Sequence, residues 1–149
     1  MTNNGLVDVL LVEDSKHDAM LALLALGENN LTNNIIWLKD GKQALDFLFG
    51  EGEFKEREVS LHPKVVLLDL KMPKVDGLEV LKEIRGNPLT KNIPVVVLTS
   101  SKEDKDIIRS YELGVNSFIV KPVDFDQFTR CVKEIGYYWS LINQPPSKT

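Results

Sequence analysis

The sequence predicts an α/β fold: an open, doubly wound, five-stranded parallel sheet with helices on both faces. Three observations predict it. Four short apolar runs, Val9–Val12, Ile35–Leu38, Val65–Leu68 and Val95–Leu98, and a weaker fifth, Phe118–Val120, are mostly rich in Val and Ile and lack polar alternation. Strands buried on both faces of a parallel sheet read this way. Helical periodicity fills the gaps between the runs. The β-α alternation then repeats five times, which is the signature of a sheet covered on both sides.

Taken in order, each gap supplies a helix. Met20, Leu21, Leu24 and Ala25 can line one face of the first; Ala44, Leu45, Leu48 and Phe49 line the second; Leu78, Leu81 and Ile84 line the third. Asp40 with Gln43 and Ser100 with Glu103 have capping-box spacing, and Asp76 with Glu79 is a close analogue, so helices are expected to start there. The last helix is expected to start near Asp124 and to run along Phe125, Phe128, Val132, Ile135, Trp139 and Ile142. Gly136 lies inside it at a cost of roughly 1 kcal/mol relative to Ala, and Pro145 and Pro146 stop it. The stretch GEGEFKEREVSLH (50–62) is charged and long for a loop in a compact α/β domain.

A chain of 149 residues, 43% of them apolar, makes one domain with a real core. We place that domain at residues 6–142, between tails at 1–5 and 143–149. Eighteen basic against 22 acidic residues give a formal charge of −4, against the basic footprint of a nucleic-acid binder. Cys131 is the only cysteine, which excludes an intramolecular disulfide or a cysteine zinc site. The first residues lack a signal-peptide pattern. No apolar run approaches the roughly 20 residues a membrane span takes. A cytoplasmic protein without membrane contact is expected.

Ligands of such sheets bind outside the carboxyl ends of the strands. Glu13 and Asp14 follow the first strand, Asp69 the third, Thr99 and Ser100 the fourth, and Lys121 and Pro122 the fifth. These groups meet only if the first, third, fourth and fifth strands are neighbours. Three converging carboxylates repel and raise one another's pKa. Mg²⁺, which takes oxygen ligands and keeps waters, resolves the repulsion and leaves room for a phosphoryl group. A carboxylate can act as the nucleophile and become an aspartyl-phosphate. Each group alone has a plainer reading: an Asp after a strand is usually a cap or turn residue, Thr-Ser an N-cap, Lys-Pro a turn. Their joint arrival in order at one edge is what favours the chemical reading.

VLLVEDS (9–15), VVLLDLKMPKVDG (65–77), VVVLTSS (95–101) and FIVKP (118–122) resemble the receiver domains of two-component response regulators. The resemblance runs over nearly the whole chain. It implies a flavodoxin-like sheet in the order 2-1-3-4-5. It also implies that Asp69 is the phosphoacceptor and, with Asp14, a direct ligand of Mg²⁺, and that Glu13 acts through a water. Lys71 would lend its backbone carbonyl to the metal. Thr99 matches the switch hydroxyl, Phe118 the switch aromatic, and Lys121 the lysine that pairs with the phosphoryl group. A cis Lys121–Pro122 bond is implied as well. Phe118 departs from the common Tyr and brings no hydroxyl. The 50–62 loop and the ending GYYWSLINQPP (136–146) resemble the small regulators paired with cyanobacterial and bacterial phytochrome kinases. That implies a light-regulated histidine kinase as donor, with output through a downstream protein, a phosphorelay partner or a homodimer. The resemblance implies a phosphoacceptor signalling protein rather than an enzyme.

Other residues invite plainer readings. His17 reads as a surface helix residue, His62 as a loop residue, Trp37 as strand packing, and the glutamates at 51, 53, 56 and 58 as a solvated face. Tyr137, Tyr138 and Trp139 crowd one helical turn. Either Trp139 packs inward with the tyrosines half exposed, or the three form an aromatic patch for a second copy or partner. A pseudo-receiver that only binds would usually lack the acceptor, the metal acid or the lysine. An aspartate-nucleophile phosphohydrolase needs an acid where Lys71 stands. A flavodoxin-type phosphate loop would not read EDSKHD, which is acidic.

Overall fold

The computed structural model describes residues 7–28 and 34–146. The expected tail at 1–5 and the last three residues of the tail at 143–149 lie outside the described residues. Five parallel strands, β1 (Val9–Val12), β2 (Ile35–Leu38), β3 (Val65–Leu68), β4 (Val95–Thr99) and β5 (Ser117–Val120), form one sheet in the order β2-β1-β3-β4-β5. The helices are α1 (Lys16–Gly27), α2 (Gly41–Phe49), α3 (Gly77–Arg85), α4 (Asp104–Glu112) and α5 (Phe125–Tyr137). The three central strands are wholly buried and the edge strands β2 and β5 only partly so. Side chains alternate across the sheet. Leu10, Val12, Val66, Leu68, Val95 and Val97 pack with α2 and α3, while Val9, Leu11, Val65, Leu67, Val96 and Leu98 pack with α1 and α5.

The caps explain where most helices begin. Asp40 accepts from the Gln43 amide, Asp76 from the Glu79 amide and Asp124 from the Gln127 amide, each satisfying a donor that the helix leaves free. The expected start at Ser100 is not observed. α4 begins at Asp104 after Glu103, which makes no side-chain cap bond. Ser101 instead donates its hydroxyl to Asp106.

The buried face of α1 also differs from expectation. Ala19, Ala22, Ala25 and Leu26 face inward, whereas Met20 and Leu24 are 49% and 64% exposed. Alanines let α1 lie close to the sheet and to α5, and a close approach won over burying the larger side chains. In α5, Phe128, Val132 and Ile135 are buried, but Phe125, at the first turn, is exposed. The chain continues as a π-helical turn, Tyr138–Ile142. Trp139 packs on the core there, while Tyr137 and Tyr138 are half exposed, as the plainer reading has it. Ile142 is exposed.

The 50–62 segment is tied down despite its charge. Gly50 takes the left-handed conformation (φ 67°) that ends α2. Gly52–Phe54 forms a 3₁₀ turn. Arg57 stacks 3.9 Å over the Phe47 ring and donates to the Phe47 and Leu61 carbonyls at 2.9 and 2.6 Å. The four glutamates of this segment are exposed. Among the described residues, no helix is long and apolar enough to cross a membrane.

Candidate functional site

Strand register places the predicted site. Val12 pairs with Leu38 and Leu68, Leu68 with Val97, and Thr99 with Val120. Residues 13, 69, 99 and 121 therefore leave the sheet at one edge, on the four adjacent strands β1, β3, β4 and β5. Backbone bonds hold them there: Asp69 N–H to Val12 C=O, 3.1 Å; Glu13 N–H to Leu38 C=O, 3.0 Å; Lys121 N–H to Thr99 C=O, 2.7 Å. Gly77 adds a close approach. A Cβ on it would run into the Asp69 carbonyl and Leu70 Cα, so only glycine lets α3 start against the chain that carries Asp69.

Glu13 and Asp69 are 4% and 7% exposed, whereas Asp14 is exposed. Each of the three offers a carboxylate oxygen within 4.8 Å of the others. Lys121 Nζ lies among them, 2.8 Å from Glu13 Oε1 and 3.3 Å from Asp69 Oδ2. Asp69 Oδ1 also accepts from the Lys71 amide at 3.4 Å. Burial pushes the Glu13 carboxyl up to about 7; the hydrogen bond from Lys121 pulls it down in part, the Asp69 charge adds to the rise, and the Ser15 amide opposes it slightly. Burial alone would lower the Lys121 ammonium. The Asp18 and Glu13 carboxylates bonded to it outweigh that and hold it above its ordinary value. Crowded acids, an all-oxygen donor set and one exposed member fit a hard divalent cation such as Mg²⁺ or Mn²⁺.

Thr99, wholly buried at the end of β4, accepts from the Ser101 amide at 3.3 Å. Phe118 is partly buried in β5 and packs on the core that faces α2 and α3. Pro122 corrects one expectation. No peptide bond is cis among the described residues, so Lys121–Pro122 is trans. Trans is the intrinsically preferred isomer, and Lys121 reaches the acids with it.

Two contributors were not anticipated. Asp18 Oδ2 lies 2.7 Å from Lys121 Nζ. Its signal was Ser15, whose side chain accepts from the Asp18 amide as the N-cap of α1 and so sets Asp18 in the first turn beside the site. Trp37, read as strand packing, also donates its indole N–H to the Glu13 carbonyl at 2.7 Å. His17 is exposed on α1. A cleft of about 310 Å³ opens beside the site between α1 and α5, bordered by Asp18, Leu21, Lys121, Val123 and Phe125.

Residues 9–133 match the family described as the response regulator receiver domain. The probable methanogenesis regulatory protein FilR2 of Methanothrix harundinacea is 45% identical over 139 residues, 93% of this chain and 86% of that one. Response regulator Rcp1 of Synechocystis sp. is 44% identical over 131 residues, 88% of this chain and 87% of that one. The Mn²⁺-bound form of Rcp1 superposes with a TM-score of 0.87, at 40% identity, covering 95% of this chain and 99% of the other. The phosphorylated cyanobacterial phytochrome response regulator RcpA superposes with a TM-score of 0.88, at 39% identity, with the same coverage. With sheet order, acidic cluster and lysine all in agreement, the chain belongs to the response regulator receiver domain family.

Proposed function

We propose that this chain accepts a phosphoryl group on Asp69 from a sensor histidine kinase, in a reaction that needs Mg²⁺, and signals through changed protein–protein contacts. The observation that carries this reading is the Lys121 ammonium bonded to Asp69 inside the Glu13–Asp14–Asp69 acid cluster. An Asp69 carboxylate oxygen attacks phosphorus in line; the O–P bond forms as the N–P bond of the donor phosphohistidine breaks. Asp14, Asp69 and the Lys71 carbonyl would hold the ion, with Glu13 acting through a water. When bound, the ion would offset charge on the transferring oxygens. Lys121 neutralises the same oxygens from the β5 side and exchanges part of its Glu13 and Asp18 bonding for the phosphoryl group. Thr99 donates its hydroxyl to the new phosphate, and Phe118 fills the space Thr99 leaves. Two packings of one core thus differ in population before and after phosphorylation.

The likeness to RcpA supports a phytochrome-type kinase as the donor. Exposed Val123 and Phe125 beside the site cleft give a partner an apolar foothold.

Mass spectrometry after incubation with a small acyl-phosphate donor tests the chemistry. Wild type is expected to gain one phosphoryl group only with Mg²⁺, and Asp69→Asn none. Metal-dependent labelling that persists in Asp69→Asn would sink the assignment. Transfer from a phytochrome kinase that is no faster than from an unrelated histidine kinase would remove the phytochrome pairing alone.

A further inference from the structure

Asp106 is a charged side chain that the phosphoryl-transfer chemistry does not use, yet it is only 4% exposed. It lies in the first turn of α4, where an acid ordinarily faces solvent and complements the helix dipole. Asp104, in the same turn, does so. Asp106 instead reaches away from its helix. Its Oδ2 accepts from the Ser101 hydroxyl at 2.6 Å and pairs with Lys71 Nζ at 3.3 Å.

Both partners sit two residues beyond a residue of the phosphorylation site. The Lys71 amide donates to Asp69 Oδ1 at 3.4 Å, and the Ser101 amide to Thr99 Oγ1 at 3.3 Å. One carboxylate on α4 therefore ties together the loop after β3 and the loop after β4. α4 has no side-chain N-cap to fix its start. The outer face of this helix carries Ile108 and Tyr111, 58% and 54% exposed.

We propose that Asp106 is a positioning residue that clamps α4 to the Lys71 and Ser101 loops in the unphosphorylated protein, and that the clamp loosens when Thr99 is drawn to a phosphate. The site then communicates with Ile108 and Tyr111 through a side chain of α4 itself. The loosening rests on Asp69 being the phosphoacceptor; the clamp in the resting protein does not.

Amide hydrogen exchange of residues 104–112 tests it, in wild type, Asp106→Asn, Ser101→Ala, Lys71→Ala and the Asp106→Asn/Lys71→Ala double variant. Each is measured with and without Mg²⁺ plus beryllofluoride, an acyl-phosphate mimic. In the resting state each variant is expected to speed α4 exchange, by about tenfold for Asp106→Asn, a hydrogen-bonded charge lost from one element. Exchange in α2 stays at the wild-type rate. The double variant adds nothing to Asp106→Asn. In wild type, beryllofluoride speeds α4 exchange, and in the variants that increment shrinks. A merely structural acid at a helix start would loosen α4 in Asp106→Asn and leave Ser101→Ala and Lys71→Ala like wild type, which overturns the clamp. The loop variants decide the matter if Asp106→Asn does not fold. In wild type, beryllofluoride that changes exchange around Asp69 but leaves α4 unchanged would refute the loosening alone; no change at either place would refute the phosphoacceptor reading as well, while the resting-state comparison would still decide the clamp.

Discussion

Lys121 stands where three carboxylates converge, and its surroundings set how the site behaves before any cation binds. Its ammonium lies within 3.3 Å of oxygens from Glu13, Asp18 and Asp69. Removing it leaves buried acids facing one another, a change that typically costs about 3–5 kcal/mol when a buried pair is broken. Proton uptake by Glu13 would relieve part of that. Lys121→Ala is therefore expected to melt well below wild type in a chelator and to regain part of the loss at saturating Mg²⁺. Equal melting in the chelator would show that the ammonium does not hold the acids. Glu13 sets a pH dependence of unusual sign. Its carboxyl is raised from 4.5 to about 7 in the folded chain, so between those values the folded state binds more protons than the unfolded one. Its contribution to stability is complete below the lower value and is lost as pH rises through the upper one. Cation-free protein is expected to be more stable near pH ~5.5 than near pH ~7.5, whereas Mg²⁺ binding tightens over the same rise. Paired thermal melts check it; cation-free stability that climbs across that range would contradict it.

Among the elements, the strands were the most legible, because an unbroken Val/Ile-rich run has few other uses. All five fall where the apolar runs do, within one residue at each end. Helix faces were less so. In α1 the sequence offers two apolar stripes, and the choice between Met20/Leu24 and the alanines depends on how close the sheet and α5 come, which no local pattern records. The start of α4 was misplaced for a related reason. Ser100 and Ser101 both precede an acid at usable spacing, and only the position of Asp106 in three dimensions shows which serine is engaged. Asp18 was missed because its partner lies 103 residues away. Gly77 joins element to site. Gly77→Ala puts a methyl group against the Asp69 carbonyl and Leu70 Cα, backbone atoms that cannot rotate aside. We expect a loss of about 1–3 kcal/mol together with slower phosphoryl uptake at Asp69. Denaturant unfolding and labelling rates measure both. A neutral result in each would mean that α3 does not press on the site.

At the scale of the whole molecule, sheet order performs the convergence. The strands stand as 2-1-3-4-5, so residues far apart in sequence leave four adjacent strands at one edge. The same order puts the two half-covered strands at the margins, where β5 carries both Phe118 and the approach to Lys121. A cation and a phosphate mimic that bind only the folded state stabilise it by mass action, by about 2.7 kcal/mol at one hundred times the dissociation constant. In a chain of this size each kcal/mol moves the midpoint by a few degrees, ~2–4 °C or slightly more. Thermal unfolding of wild type and Asp69→Asn with Mg²⁺, beryllofluoride, both or neither is therefore the most direct measurement. The account predicts a rise in wild type with both together that exceeds the sum of the separate effects and vanishes in Asp69→Asn. An equal rise in Asp69→Asn, or no joint effect in wild type, would contradict it.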